Sequence, residues 1–132
     1  LTFNDLPVDS YMIWGGVSDI HLMYEERVDL RGMLRRMVGH PKKDMKAYKS
    51  RDAMQFIKKD SPPILIIHGG KDIQVGIHQA YDLEKKLKSK GTYYQTYYQL
   101  DEGHVPRPPA MRDVIRYIHQ WMNDVENKNL SA

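Results

Sequence analysis

The sequence predicts an α/β fold in which a mostly parallel sheet carries helices on both faces. Residues 64–67, ILII, are apolar without alternation, as expected of a strand that is covered on both faces. Predicted strands and helices also alternate along the chain. Because consecutive parallel strands are joined by right-handed crossovers, this order favours one sheet with helices on either side.

The N-terminal half of the chain predicts one strand and two helical regions. Residues 10–17, SYMIWGGV, form a short apolar stretch closed by two glycines and are predicted to be a buried strand. Residues 20–38 carry apolar side chains partly at helical spacing, and a Gly-His-Pro sequence ends that region. Residues 42–59 are predicted to be helical in part, up to a Ser-Pro-Pro break.

The C-terminal half predicts a strand between two amphipathic helices. Residues 76–90 have a helical apolar pattern, and Gly91 stands where a helix ends in the left-handed conformation. Residues 92–100 are rich in Thr and Tyr, as strands are. The last helix has one apolar stripe at i, i+3, i+4, i+7 and i+10 or i+11: Met111, Val114, Ile115, Ile118 and Trp121 or Met122.

Length and composition limit the function classes. A chain of 132 residues, 41% hydrophobic and 28% charged, fits one ordinary globular domain. No cysteine is present, which excludes disulfides, thiolate zinc sites and a cysteine nucleophile and fits a reducing compartment. The net charge is only +3, and no nucleic-acid-binding module accompanies the lysines of residues 42–49. We therefore expect no nucleic-acid partner. The longest apolar run, residues 64–67, is too short to span a bilayer, and no H-E-x-x-H or similar run is present, so we also expect no membrane partner, no metal and no cofactor.

An acid and an imidazole follow two of the predicted strands. Asp72 comes after residues 64–67 through a Gly-Gly pair, and His104 comes after residues 92–100 and a further glycine, which would allow sharp turns. Ligands of such sheets bind beyond the carboxyl ends of the strands, so both side chains are expected there. A buried carboxylate can hold the tautomer of a histidine that acts as a general base. The alternative is an aspartate that caps a helix beside an unrelated loop histidine.

These motifs resemble the C-terminal half of an α/β-hydrolase, and more narrowly the catalytic domain of the prolyl oligopeptidase family of serine peptidases. The resemblance covers about residues 10–124 and lies in PPILIIHGGKDIQV, the helix and Tyr-rich strand that follow, and DEGHVP. His68 begins the family's His-Gly, Asp72 matches its triad acid, and His104 matches the Gly-His that carries the catalytic base. After His104 the chain reads VPRPP in place of the family's glycine-aromatic continuation, which leaves the shape of this loop open.

The resemblance implies a serine-type peptidase that cleaves short peptides through an acyl-enzyme. An esterase or acyl hydrolase of the same fold, acting on small esters, is the nearest alternative. A noncatalytic α/β module that keeps the scaffold for binding, with Asp72 and His104 as relics, is an alternative from another class.

No serine of this sequence lies in the Gly-x-Ser-x-Gly motif that carries the nucleophile in this fold. Ser18 comes nearest, but Ile20 stands where a small residue is needed, so we interpret Ser18 as a capping or loop residue. We expect residues 1–132 to be one partial hydrolase domain that lacks the nucleophile-bearing half and is inactive alone. The truncated sheet would then offer an edge for self-association or for a companion chain.

Overall fold

Two crossover units organise the fold, seen in a computed structural model that describes residues 8–50 and 57–128. The elements in chain order are β1 Tyr11–Trp14, α1 Ile20–Glu26, a 3₁₀ turn Val28–Leu30, α2 Arg31–Met37, α3 Met45–Ser50, β2 Ile64–Gly69, α4 His78–Lys90, β3 Tyr94–Gln99 and α5 Pro108–Glu126. The strands are parallel and follow the order β1-β2-β3. The predicted α/β fold class is therefore confirmed.

β2 is the central strand, and all six of its residues are buried. Successive side chains of a strand point to opposite faces, so alternate residues of its apolar run enter two different hydrophobic clusters. Ile66 packs in a cluster with Leu83 of α4, whereas Ile67 packs in a cluster with Trp121 of α5. Each buried aliphatic side chain of this kind contributes about 1.5–3 kcal/mol. Helices thus cover both faces of β2, as its lack of alternation predicts.

The segment between β1 and β2 forms a third packing unit, which we call the cap segment (residues 20–50). Its buried side chains Met23, Leu34 and Tyr48 share one hydrophobic cluster with Val75, which follows β2. The guanidinium of Arg27 also donates a hydrogen bond to the main-chain oxygen of Gln74. The cap segment is therefore attached to the loop beyond the carboxyl end of the central strand.

The N-terminal elements are shorter than predicted. β1 ends at Trp14 because Gly15 takes a φ of +59°, which turns the chain out of the strand. Met12 is 48% exposed, so the prediction of a buried strand is wrong for β1, which lies at the edge of the described sheet. Residues 20–38 are interrupted at Arg27, whose φ of −113° and ψ of 83° are not helical. α3 covers only part of residues 42–59, of which 51–56 lie outside the described residues.

α5 is longer than its apolar stripe, and the buried part of the stripe is narrower than predicted. Prolines occupy its first positions, where the missing N–H has no helical acceptor. Val114 and Trp121, seven residues apart, are buried against the sheet, whereas Ile115 and Met122 are exposed. Gly91 ends α4 with a φ of +71°, as predicted. In the part of the chain that the structure describes, no helix has the length and apolar character needed to cross a membrane.

Candidate active site

The carboxylate of Asp72 is fixed by the chain that follows it. One oxygen, Oδ1, accepts the N–H groups of Gln74 and Val75, each at 2.9 Å. The side chain is completely buried. α4 begins six residues later and has Ile77 at its N-cap, so the capping alternative for Asp72 is wrong. Asp72 instead closes a tight turn, which aims its second oxygen, Oδ2, away from the turn.

His104 lies against that second oxygen. Its Nδ1 is 2.7 Å from Asp72 Oδ2, and because a carboxylate can only accept, the ring proton lies on Nδ1. Nε2 is then the basic nitrogen, and it makes no hydrogen bond within the described residues. The imidazole remains 34% exposed, so a reactant can reach it. The structure thus brings together the two side chains that the sequence singles out, and their catalytic role stays a prediction.

Asp72 is held in its ionised form. Burial alone would raise the pKa of its carboxyl, since the charged form loses its water. Hydrogen bonds from the Val75 N–H, from His104 and from the Gln74 N–H stabilise the carboxylate and together lower the pKa below its ordinary value. A carboxylate that ionises more readily than an ordinary aspartate therefore faces Nδ1, as the stabilisation of an imidazolium requires.

Gly15, directly after β1, lies against the imidazole of His104. A Cβ at this position would lie 3.1 Å from His104 Cε1 and 3.6 Å from Asp72 Oδ2. The end of β1 thus touches both members of the pair, and a side chain there would press on the ring. The φ of +59° independently favours glycine at this position.

The two loops that carry the acid and the base are bonded to each other through the main chain. Gly70 N–H donates to Gln99 O at 2.9 Å, and Lys71 N–H donates to Glu102 O at 2.8 Å. A Cβ on Gly69 would lie 2.3 Å from Gly103 O, which is shorter than any real contact. None of Gly69, Gly70 and Gly103 has a positive φ. The Asp72 N–H nevertheless donates to Gly69 O at 3.2 Å, so the chain does turn sharply after β2, as expected, without a left-handed residue. Gly69 and Gly70 are required because the two loops approach so closely.

We expect Gly69→Ala to lower the free energy of unfolding by about 2–3 kcal/mol, because the added methyl group has no space between the loops. Gly32→Ala on α2 is the matched control, since a Cβ there meets nothing within 4 Å. That change should raise the free energy of unfolding by up to about 1 kcal/mol. Urea denaturation of the full-length protein measures both, and equal effects of the two substitutions would contradict the close approach.

The loop after His104 is closed by an ion pair. Glu102 accepts the Arg107 N–H at 3.1 Å, and its Oε1 lies 2.9 Å from Arg107 Nη2. These contacts span the Val105-Pro106 sequence, whose course the family resemblance leaves open. A cavity of about 250 Å³ lies beside the imidazole, and Trp14 and Met111 line it. This cavity is the space in which a bound group would meet His104.

His68 has a contact that the sequence reasoning misses. It is buried in β2, and its Nε2 donates to Val75 O at 2.7 Å while lying 3.6 Å from Asp72 Oδ2. The residue therefore braces the turn that Asp72 closes. A single polar side chain at the end of an otherwise apolar strand is the sequence signal that could have pointed to it.

Ser18 is engaged elsewhere. Its Oγ donates to Gln79 O at 2.8 Å, and its N–H donates to the Gln79 side chain at 3.0 Å. The residue is buried, and the cap of α1 is Asp19, which accepts the Leu22 N–H. Ser18 therefore joins the start of the cap segment to α4 and does not cap a helix. No cluster of three or more potential metal-binding side chains occurs among the described residues.

Comparisons with known proteins agree on the fold. The family model described as BD-FAE matches residues 3–87. A relative from Bacillus subtilis (strain 168), described as an uncharacterized peptidase, YtmA, is 41% identical over 116 residues. These residues are 87% of this chain but 45% of the relative, so the chain spans less than half of that protein's length.

Two solved structures extend the comparison. A truncated form of a carbohydrate esterase from gut microbiota has a TM-score of 0.66 at 23% identity, over 86% of this chain and 42% of that one. Pyrococcus horikoshii acylaminoacyl peptidase has a TM-score of 0.68 at 15% identity, over 79% of this chain and 17% of that one. At these identities the likeness shows the fold, and the prediction of an α/β-hydrolase is confirmed.

Proposed function

Because this chain belongs to the BD-FAE family and is peptidase- and esterase-like, we propose that it carries the acid and the base of a serine hydrolase. Asp72 is the acid and His104 the base. The observation that carries the proposal is the 2.7 Å contact between Nδ1 of the 34% exposed His104 side chain and a buried, ionised carboxylate. The proposed reaction is acyl transfer to a serine followed by hydrolysis.

In the proposed mechanism His104 Nε2 takes the proton of the serine hydroxyl as its oxygen attacks the substrate carbonyl. The imidazolium then gives this proton to the leaving amine or alcohol, and the acyl-enzyme forms. In the second half, Nε2 takes a proton from water, whose oxygen attacks the ester carbon, and returns it to the serine oxygen. Asp72 stabilises the imidazolium in both halves and stays ionised.

We propose that the serine is supplied from outside residues 1–132. Two observations support this: Ser18 is buried in its contacts with Gln79, and the chain spans 45% of its curated relative. Without the serine and the donors that stabilise the oxyanion, residues 1–132 alone should hydrolyse no substrate efficiently. The edge of β1 that does not face β2 would then accept a further strand of the same protein, a second copy or a companion chain.

We propose peptides as the substrate class, because the 41% identical relative is described as a peptidase. Small esters are the second candidate, since the fold is shared with a carbohydrate esterase and the cavity beside His104 is small and open. Turnover of an aminoacyl p-nitroanilide and of p-nitrophenyl acetate by the full-length protein separates them. A peptidase cleaves the anilide with a kcat/KM comparable to that of the ester, whereas an esterase leaves the anilide intact.

Labelling with a fluorophosphonate tests the nucleophile. The full-length protein should be labelled on one serine outside residues 1–132, because a serine reacts only when a base activates it. His104→Ala should abolish the label, and mass spectrometry of the digested protein locates it. Stoichiometric labelling of Ser18, or no labelling of a protein that turns over esters, would contradict the proposal.

A further inference from the structure

The cap segment contains a second cavity, of about 510 Å³, which we call the cap cavity. It lies between α1, α2 and the start of the following loop. Arg31, Arg35 and Lys42 line it with three positive charges, and His40 adds an imidazole. Glu25 is the one carboxylate among the lining residues that the structure describes. Cations therefore exceed anions around an open space large enough for a small ligand.

The two guanidiniums are held in place. Arg31 Nε donates to Tyr24 O at 2.8 Å, and its Nη2 donates to Glu25 O at 3.0 Å. Arg35 Nε donates to the Tyr24 hydroxyl at 2.7 Å. Both guanidiniums also lie over the Tyr24 ring, with centroid distances of 5.2 and 5.7 Å. An arginine side chain on an exposed helix usually loses conformational entropy when it binds a ligand. Because these contacts already order both side chains, the entropy cost of binding is smaller here.

The side chains that line the cap cavity keep hydrogen-bond donors available for a ligand. A guanidinium has five N–H groups, and Arg31 and Arg35 use only a minority of theirs in hydrogen bonds to the described residues. His40 Nδ1 accepts the Lys42 N–H at 3.2 Å, so the ring proton of His40 lies on Nε2, which is a donor. The Glu25 carboxylate lies 3.4 Å from His21 Nε2, which offsets its charge when that ring is protonated. The cap cavity is thus rich in donors.

We propose that the cap cavity binds the oxyanion group of a small ligand, either a carboxylate or a phosphate. Both groups match the planar donor fork of arginine, and both gain from charge-assisted hydrogen bonds. Two fixed forks, a lysine ammonium and an imidazole N–H can together surround one such group. A neutral or cationic ligand would leave these charges unpaired.

The cap cavity is linked by packing to the turn that carries the acid of the candidate active site. Tyr24, which supports both arginines, belongs to the same buried cluster as Val75, whose N–H holds Asp72. Arg27, three residues after Tyr24, is bonded to Gln74 O. One buried cluster and one hydrogen bond thus connect the residues around the cap cavity to the turn that carries Asp72. The assignment itself is independent of whether Asp72 and His104 take part in catalysis.

Isothermal titration of the full-length protein with inorganic phosphate, and separately with succinate, tests the proposal. Constant ionic strength, set with sodium chloride, removes the general screening effect. We expect saturable one-to-one binding of at least one of the two anions. The anion with the lower dissociation constant shows whether the site prefers phosphate or carboxylate groups.

Variants place the binding in the cap cavity. The double substitution Arg31→Gln and Arg35→Gln should weaken binding by about tenfold or more, because two charge-assisted contacts are lost. The matched control is Arg112→Gln with Arg116→Gln, which removes two exposed arginines at the same i, i+4 spacing from α5. Lys42→Gln alters an exposed side chain that makes no hydrogen bond to the described residues, so it should weaken binding several-fold without affecting folding.

Two results would overturn the assignment. One is the absence of saturable binding of either anion up to millimolar concentrations. The other is binding that the α2 double variant and Lys42→Gln leave unchanged, or that the α5 control weakens equally. Thermal unfolding of each variant identifies a loss of fold, and Lys42→Gln remains decisive if the α2 double variant does not fold.

Discussion

Replacing His104 with alanine in the full-length protein is expected to lower kcat by about 10⁴-fold or more, with little change in KM. The imidazole is the group that moves the proton in each half of the proposed reaction, and among residues 8–50 and 57–128 only His104 and the buried His68 form an ion pair with Asp72 Oδ2. The buried His68 donates its Nε2 proton to Val75 O and cannot replace it. Steady-state hydrolysis of p-nitrophenyl acetate and of an aminoacyl p-nitroanilide measures the loss.

His119→Ala is the matched control for this change. His119 is an exposed histidine of α5 without a described hydrogen bond, so its replacement should leave kcat unchanged. The noncatalytic alternative predicts no turnover by the unchanged protein and ligand affinity that survives His104→Ala. An alanine variant that keeps a tenth or more of the turnover would rule out His104 as the base.

Replacing Asp72 with asparagine is expected to lower kcat by about 10⁴-fold while the fold is retained. Asparagine has nearly the same shape, but its amide carries no charge to stabilise the imidazolium, and its NH₂ group can donate to Nδ1. In that arrangement Nε2 would carry the proton and could no longer accept one. The kcat and the tautomer of His104, read from ¹⁵N chemical shifts of the imidazole, are the two measurements. A variant that retains the Nδ1–H tautomer and normal turnover would contradict the role of Asp72.

The same carboxylate should make the stability of the fold depend on pH. The pKa of Asp72 is lower in the folded protein than in the unfolded chain, so ionised Asp72 stabilises the fold above the unfolded pKa of about 4. That contribution is lost as the pH falls through the lower folded pKa. Urea denaturation at pH 7 and at pH 2.5 measures this effect. The free energy of unfolding should fall less between these pH values for Asp72→Asn than for the unchanged protein.

The sequence was sufficient for the sheet because its central strand has an unambiguous pattern. Four apolar residues without alternation can be buried on both sides only when helices cover both faces, and α4 and α5 do so. The apolar pattern predicted burial less well for strands and helices that have one side exposed to solvent. Met12 is apolar but exposed at the edge of the sheet, and Ile115 belongs to the apolar stripe but not to its buried part. Composition cannot show which side of an apolar segment has a neighbour.

The approach of Asp72 to His104 follows from topology, since parallel strands end at one edge of the sheet. The supporting contacts do not follow from it. The hydrogen bond of His68 to Val75, the ion pair of Glu102 with Arg107 and the contact of Ser18 with Gln79 each depend on the course of a loop or on tertiary packing. Hydrophobic periodicity does not predict such polar contacts. The cap cavity likewise depends on how α1 and α2 meet at the break near Arg27.

The main-chain bonds between the two loops have a consequence for protein engineering. Because Gly70 and Lys71 donate through backbone N–H groups, the side chains at neighbouring exposed positions contribute nothing to these bonds. A combinatorial library that randomises Lys71, Ile73, Leu100 and Asp101 among residues other than proline, which lacks the N–H, should therefore keep the acid and the base at their present separation. Diversity could be introduced around the rim, and selected for new ligands, without rebuilding the pair at its centre.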